Sequence, residues 1–311
     1  MLRCPKIALL CATKRGLIVF EKLKQLLPDG KFTVFSFREE SAEPPFFSDI
    51  KTAAEQGNHR FIEAKRVEAG ISGQIWERDE FDLLLAVSWR YLVPERIFRR
   101  PRFGAYVFHD SYLPEGRGFS PTVWAIANGH KHTGVTLFEM ATGVDEGPIV
   151  AQTLVPIASD EVISAVMERV TQLYVSMLEE NLPCLLTGSP PRRPQDNTSA
   201  TYNRKRIPED DRIVWGRPAI AIFDLIRAIT KPYGGAHSTY ADQAFKIWSA
   251  SIPLDSRPSA LAPGQVIRVL PGIGSDIQTG EGAIRLQQIQ LVGENEISAD
   301  KVLLRPEMFL K

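Results

Sequence analysis

An α/β fold is predicted: a Rossmann-like, doubly wound and mostly parallel sheet, followed by a smaller C-terminal β-barrel domain of OB-like kind. Three observations predict it. Short, mostly apolar runs, KIALLCA at 6–12 and FDLLLAVSW at 81–89, have the composition of strands buried on both faces. Segments with helical spacing separate such runs, as the crossovers of parallel strands require. Towards the end of the chain, short apolar stretches alternate with Gly, Pro and Asp turns, the pattern of a small closed or half-closed barrel.

The first strand is followed by a turn at Thr13-Lys14-Arg15-Gly16 and a helix over 17–27. KFTVFSF (31–37) reads as a second strand and FIEA (61–64) as a third, with helical patterns at 49–56 and 70–78. After the strand at 81–89 comes a short helix containing Pro94–Phe98, and GAYVFHDS (104–111) is a fifth strand. Ser120 and Pro121 suit the N-cap and first position of a short helix up to Gly129. HTGVTLFEMA (132–141) and PIVAQTLVPI (148–157) form a hairpin through TGVDEG, and a long helix spans 161–186. Residues 189–205 are rich in Pro, Arg, Ser and Thr without apolar periodicity and read as a linker. The expected organisation is thus a first domain at 1–188, the linker, and a C-terminal domain at 206–311. Within that last part, 219–230 is an amphipathic helix, and AFKIWSASI (244–252), GQVIRVL (264–270), IRLQQIQLV (284–292) and KVLLR (301–305) are strands.

Lys+Arg and Asp+Glu number 37 each in 311 residues. The chain therefore has no global field to collect nucleic acid or an anionic membrane, which argues against both as main partners. No apolar run reaches the length of a membrane span, and the three cysteines are odd in number and widely spaced, so a reduced, cytoplasmic protein is expected. No His/Cys cluster has zinc spacing, and no metal is expected. The loop after the first strand has neither a G-x-G-x-x-G nor a Walker A run, so the Rossmann-like start does not imply NAD or ATP.

Ligands of doubly wound sheets bind outside the carboxyl ends of the strands. The turns after residues 12, 89 and 109 place Lys14, Arg15, Trp89, Arg90, Tyr91 and His109 around one crevice. His109 begins a Pro/Gly-punctuated loop, and an imidazole there can shuttle a proton near neutrality. Asp145, in a turn with Gly on both sides, either serves the turn or fixes the His109 tautomer, as the carboxylate of a hydrolase triad does. Arg117, Lys14 and Arg15 are either solvated charges or holders of a substrate's anionic end.

Four groups recur together: Val107-Phe108-His109, Ser111-Tyr112-Leu113-Pro114-Glu115-Gly116-Arg117-Gly118, Thr133-Gly134-Val135-Thr136 and Asp145-Glu146-Gly147. A further run, Tyr202 to Asp211, ends in Ile213-Val214-Trp215. This order resembles the 10-formyltetrahydrofolate-dependent formyltransferases, which include methionyl-tRNA formyltransferase, glycinamide ribonucleotide transformylase and N-formyltransferases of nucleotide-linked amino sugars. Leu225-Ile226-Arg227-Ala228 and Lys231-Pro232-Tyr233-Gly234-Gly235-Ala236 look most like the sugar-modifying members of UDP-4-amino-4-deoxyarabinose type.

The resemblance implies N10-formyltetrahydrofolate as co-substrate, a nucleotide-linked amino sugar as acceptor, and room for a homodimer. It implies catalysis by His109 and Asp145. It implies folate contacts from Trp89, Arg90, Tyr91, Leu92, Gly143, Val144 and Asp145, and substrate contacts from Lys14, Arg15, Ser111, Arg117 and Arg206. The family's catalytic Asn, which donates to the developing oxyanion, falls at Val107, and valine cannot donate. Either protonated His109 supplies the stabilisation, or Ser111 or a backbone N–H does, or the chain binds ligands without catalysis. Retained activity is expected. Methionyl-tRNA formyltransferase is the alternative within the family, and the neutral charge argues against it.

Overall fold

The computed structural model describes residues 4–40, 44–241, 243–254, 261–303, 305 and 308–311. Its strands are β1 (Lys6–Cys11), β2 (Lys31–Ser36), β3 (Arg60–Glu63), β4 (Leu83–Val87), β5 (Ala105–His109), β6 (Arg117–Gly118), β7 (His132–Glu139), β8 (Ile149–Pro156), β9 (Tyr202–Asn203), β10 (Ala236–Tyr240), β11 (Gln243–Ser251), β12 (Val266–Leu270), β13 (Gly274–Gln278), β14 (Ala283–Leu291) and β15 (Glu296–Ser298). The chain divides into two compact units. One comprises Met1–Pro121, Thr133–Pro156 and Met167–Arg204, and the other Thr122–His132, Ile157–Val166 and Lys205–Lys311.

In the first unit the sheet order is β3-β2-β1-β4-β5-β7-β8. The first five of these strands run parallel, and β7 is antiparallel to β5. Every residue of β4 is buried, which is why it reads as unbroken apolar sequence. Helix α1 (Thr13–Leu26) buries Gly16, Val19, Phe20 and Leu23, one stripe of a 3.6-residue period. It starts four residues before the expected position, because the Gly16 N–H already bonds the Ala12 carbonyl at 3.1 Å. Lys14 and Arg15 therefore lie in a helical first turn and not in an open loop.

The sheet grows outward from β1 in both directions, so the loops after β1 and β4 diverge from a topological switch point. Thr13 Oγ1 donates to Ser88 Oγ at 3.1 Å across that opening. Both residues adopt positive φ, +64° and +54°.

The second unit contains α2 (Ala219–Ile229), with Ile222, Leu225, Ile226 and Ile229 buried, and an antiparallel sheet ordered β10-β11-β14-β13-β12, with β15 on β14. Tyr240 bridges Leu310 and Gln265 bridges Phe309, so residues 308–311 tie both edges of the sheet and close it. Lys301 ends a 3-10 turn (Ala299–Lys301), and Val302 and Leu303 continue from it without forming the strand expected at KVLLR, whose Leu304 lies outside the described residues. Strands β10 and β13 were not expected. Among the described residues no helix is long and apolar enough to cross a membrane.

Candidate active site

His109 ends β5 and is 9% exposed. Its Nε2–H donates to the Gly116 carbonyl at 2.9 Å; a carbonyl only accepts, so this bond fixes the proton on Nε2 and leaves Nδ1 as the basic nitrogen. Nδ1 lies 3.8 Å from Asp145 Oδ2, too far for a hydrogen bond and close enough for the carboxylate to stabilise an imidazolium. The same carboxylate oxygen accepts the Gly118 N–H at 2.8 Å. The sequence left Asp145 either serving its turn or fixing the His109 tautomer; the fold brings the two within 3.8 Å, but the Gly116 carbonyl sets the tautomer.

The Thr-Gly-Val-Thr run explains how the loop after His109 is held. Thr136 pairs with His109 across the sheet, and its Oγ1 donates to the Ser111 carbonyl at 2.7 Å while accepting from the Leu113 N–H at 3.2 Å. Thr133 Oγ1 donates to the Asp110 carbonyl at 2.8 Å. Between them, a Cβ on Gly134 would lie 2.7 Å from the Tyr112 backbone nitrogen, so only glycine lets the loop pack this closely. Gln152 adds a bond of 2.6 Å to the Leu113 carbonyl.

Arg117 is completely buried. Its Nε and Nη2 donate to Gln195 Oε1 at 3.1 and 2.8 Å, Nη2 to Asn197 Oδ1 at 2.7 Å, and Nη1 to the Tyr202 hydroxyl at 2.7 Å. Gln195 Nε2 in turn donates to the carbonyls of Asp145 and Gly147 at 2.8 and 2.7 Å. Arg117, expected at the substrate, instead organises the turn that presents Asp145. Its donors are taken by the chain itself. Asp145 has φ +53°, and a Cβ on Gly147 would sit 1.6 Å from the Glu139 carbonyl oxygen, so the turn is both bent and tightly seated.

The partners of Arg117 come from the segment 189–205 that composition marks as a linker. Thr201 Oγ1 accepts the Gly116 N–H at 2.8 Å, and β9 pairs with β6 in parallel. Gln195, Asn197, Thr201 and Tyr202 were missed because polar residues in a Pro-rich stretch carry no periodicity.

Beside the imidazole, Asp110 forms an ion pair with Arg15 and accepts from the Tyr174 hydroxyl. Burial would raise the Asp110 carboxyl, but Arg15, the Tyr174 hydroxyl and the charge of His109 outweigh it and hold the carboxyl below its ordinary range. Burial and then the Asp110 charge push the Tyr174 hydroxyl well up. Arg15 is therefore engaged within the protein, whereas Lys14 is exposed.

Residues 38–182 match the Formyl transferase family, and residues 205–306 match its Formyl transferase, C-terminal domain. The chain belongs to the formyl transferase family. Three solved structures share the fold. HypX from Aquifex aeolicus has a TM-score of 0.64 at 18% identity over 96% of this chain and 47% of its own, so the chain spans about half the length of HypX. An N-formyltransferase from Helicobacter canadensis, in complex with folinic acid and dTDP-3-aminofucose, has a TM-score of 0.68 at 16% identity, covering 94% of this chain and all (100%) of that one. Methionyl-tRNA formyltransferase from Clostridium thermocellum has a TM-score of 0.56 at 21% identity, covering 81% and 95%.

Among the remaining family positions, Trp89 and Tyr91 contact Phe37 edge-on at 5.3 and 4.9 Å, and the Arg90 guanidinium lies 4.9 Å from the centre of the same ring. The Trp89 indole nitrogen is buried and has no hydrogen-bond partner among the described residues, while Leu92 is 80% exposed. Gly143 and Val144 lead into the Asp145 turn, with Val144 exposed. Ser111 is buried, and its hydroxyl oxygen is covered by protein and has no partner among the described residues. Val107 is half-buried and packs between the Leu113–Phe138–Ile149 cluster and the larger core. Arg206 belongs to the second unit, where it pairs with Asp211 and lies 5.5 Å from the Trp124 ring centre.

Proposed function

We propose that this chain transfers the formyl group of N10-formyltetrahydrofolate to the amine of a nucleotide-linked amino sugar. The observation that carries the reading is His109, its proton fixed on Nε2 and its Nδ1 3.8 Å from Asp145, at the carboxyl edge of a parallel sheet. The full-length match to a relative crystallised with folinic acid and dTDP-3-aminofucose supports the acceptor class.

The residues at the switch point fit a folate. The Phe37, Trp89 and Tyr91 rings there offer apolar faces to a flat heterocycle. Trp89, Arg90, Tyr91, Leu92 and the Gly143–Asp145 turn would hold it, and when bound it supplies the formyl carbon. His109 takes the amine's proton at Nδ1 as the amine attacks, and Asp145 stabilises the imidazolium. His109 then returns the proton to the departing folate nitrogen. Lys14 is an exposed cation at the same edge for the acceptor's anionic end.

The test is incubation of the protein with N10-formyltetrahydrofolate and a panel of amino-sugar nucleotides beginning with dTDP-3-aminofucose, followed by mass spectrometry. The expected result is a product heavier by one formyl group. No transfer to any amino-sugar nucleotide, together with no folate binding, overturns the proposal.

A further inference from the structure

Acyl transfer builds negative charge on the carbonyl oxygen, and one well-placed neutral donor there is worth on the order of 10²–10³ in rate. Most donors around His109 are already taken. The N–H groups of Gly116, Arg117, Gly118 and Phe119 bond Thr201 Oγ1, the Thr201 carbonyl, Asp145 and the Asn203 carbonyl. The hydroxyls of Thr133 and Thr136 donate to the carbonyls of Asp110 and Ser111, the Arg117 guanidinium is buried and four times bonded, and Val107 has nothing to donate.

Two groups flank the glycine whose carbonyl holds the imidazole. A Cβ on Gly116 would lie 3.1 Å from Ser111 Cβ and 3.4 Å from Asn203 Nδ2. The Ser111 hydroxyl oxygen is sealed by protein atoms, so a bound carbonyl does not reach it. Asn203 differs in each respect. Its side chain is half-buried and so open on one side, and among the described residues its carboxamide makes no hydrogen bond. Its backbone is fixed by β6–β9 pairing opposite Gly118, the residue whose N–H holds Asp145. Gly116 has φ +73°, and its missing side chain lets the Asn203 amide nitrogen lie against the turn whose carbonyl holds His109.

We propose that Asn203 is a catalytic residue, its carboxamide N–H donating to the oxyanion that forms at the formyl carbon. The proposal rests on formyl transfer as read above. As the acceptor nitrogen bonds to the formyl carbon, the C=O electron pair moves to oxygen, where Asn203 donates, and His109 removes the acceptor's proton. When the oxyanion collapses, the bond to the folate nitrogen breaks and that nitrogen receives the proton from His109. The same oxyanion forms when water is the acceptor, which leaves formate.

The experiment compares wild type, Asn203→Ala, Asn203→Leu and Ser111→Ala in two assays: formyl transfer to a dTDP-linked amino sugar, and release of formate from N10-formyltetrahydrofolate in water. Folate affinity, followed by tryptophan fluorescence, reports whether each variant keeps its fold and site. Both Asn203 variants should lose on the order of 10²–10³ in kcat in both assays, with folate affinity retained. Wild-type rates in the Asn203 variants overturn the proposal, as does a loss confined to Ser111→Ala. If wild type releases formate but formylates no amino sugar, the acceptor reading fails, and the role of Asn203 is decided by formate release. Wild type inactive in both assays overturns both.

Discussion

The loop at 110–119 and the loop at 88–92 leave carboxyl ends of neighbouring parallel strands, yet they are secured by different chemistry. The first is bound at almost every backbone step: Thr133 and Thr136 hold its start, His109 and Thr201 its middle, Asp145 and Asn203 its end. The second is held by ring edges against Phe37 and turns Leu92 to solvent. The contrast separates two tasks. Proton transfer needs groups fixed in geometry before the substrate arrives, whereas a flat ligand is accepted by apolar ring faces.

The largest effect that tests this division is expected at His109. His109→Ala should lower kcat about 10²–10⁴-fold and leave folate affinity unchanged, measured by steady-state kinetics beside fluorescence titration. A parallel loss of folate binding would break the separation between the loops.

Next comes Arg117→Ala, which removes the buried guanidinium and its bonds to Gln195, Asn197 and Tyr202. Urea unfolding should show a loss of about 3 kcal/mol, with activity falling as the Asp145 turn loosens. Gln195→Ala removes the two donors to that turn and should cost about 1–2 kcal/mol, with a drop in kcat rather than a rise in KM. Unchanged kcat in Gln195→Ala would show that the turn is held without it.

Trp89→Leu keeps an apolar side chain and removes the flat ring. Folate affinity should weaken about tenfold, near 1.4 kcal/mol, as one aromatic face beside Phe37 is lost. Equal affinity would mean that this ring meets no face of the ligand.

The smallest effect concerns acid. The Asp110 carboxyl is held below its ordinary value of 3.8 in the folded state, so its contribution to stability is complete above that value and is lost as pH falls through the lower folded one. Asp110→Asn should flatten the acid limb of the stability curve, read as unfolding midpoints between pH 5 and pH 2.5.

Most of the first sheet was legible because its parallel strands are buried on both faces and spell apolar runs, as β1 and β4 do. The strand β13 was not, since its five buried residues include Ser275, Asp276 and Gln278. Asp276 is tolerated there because Arg268 and Arg285 reach it at 2.6 and 2.7 Å, a long-range match that no local pattern announces. His109 and Asp145 could be named from motif and loop chemistry. Gln195 and Asn203 could not, because a carboxamide in a Pro-rich stretch gains its meaning only from the loop that folds against it.

The bond from the Gly118 N–H to Asp145 Oδ2 gives the site a built-in spectroscopic reporter. When His109 gains its proton, the carboxylate is drawn towards the imidazolium and gives up part of its hold on that amide. The Gly118 amide resonance therefore registers the charge of an imidazole it does not touch, and an isotope-labelled glycine would let the proton's arrival be followed without observing the histidine.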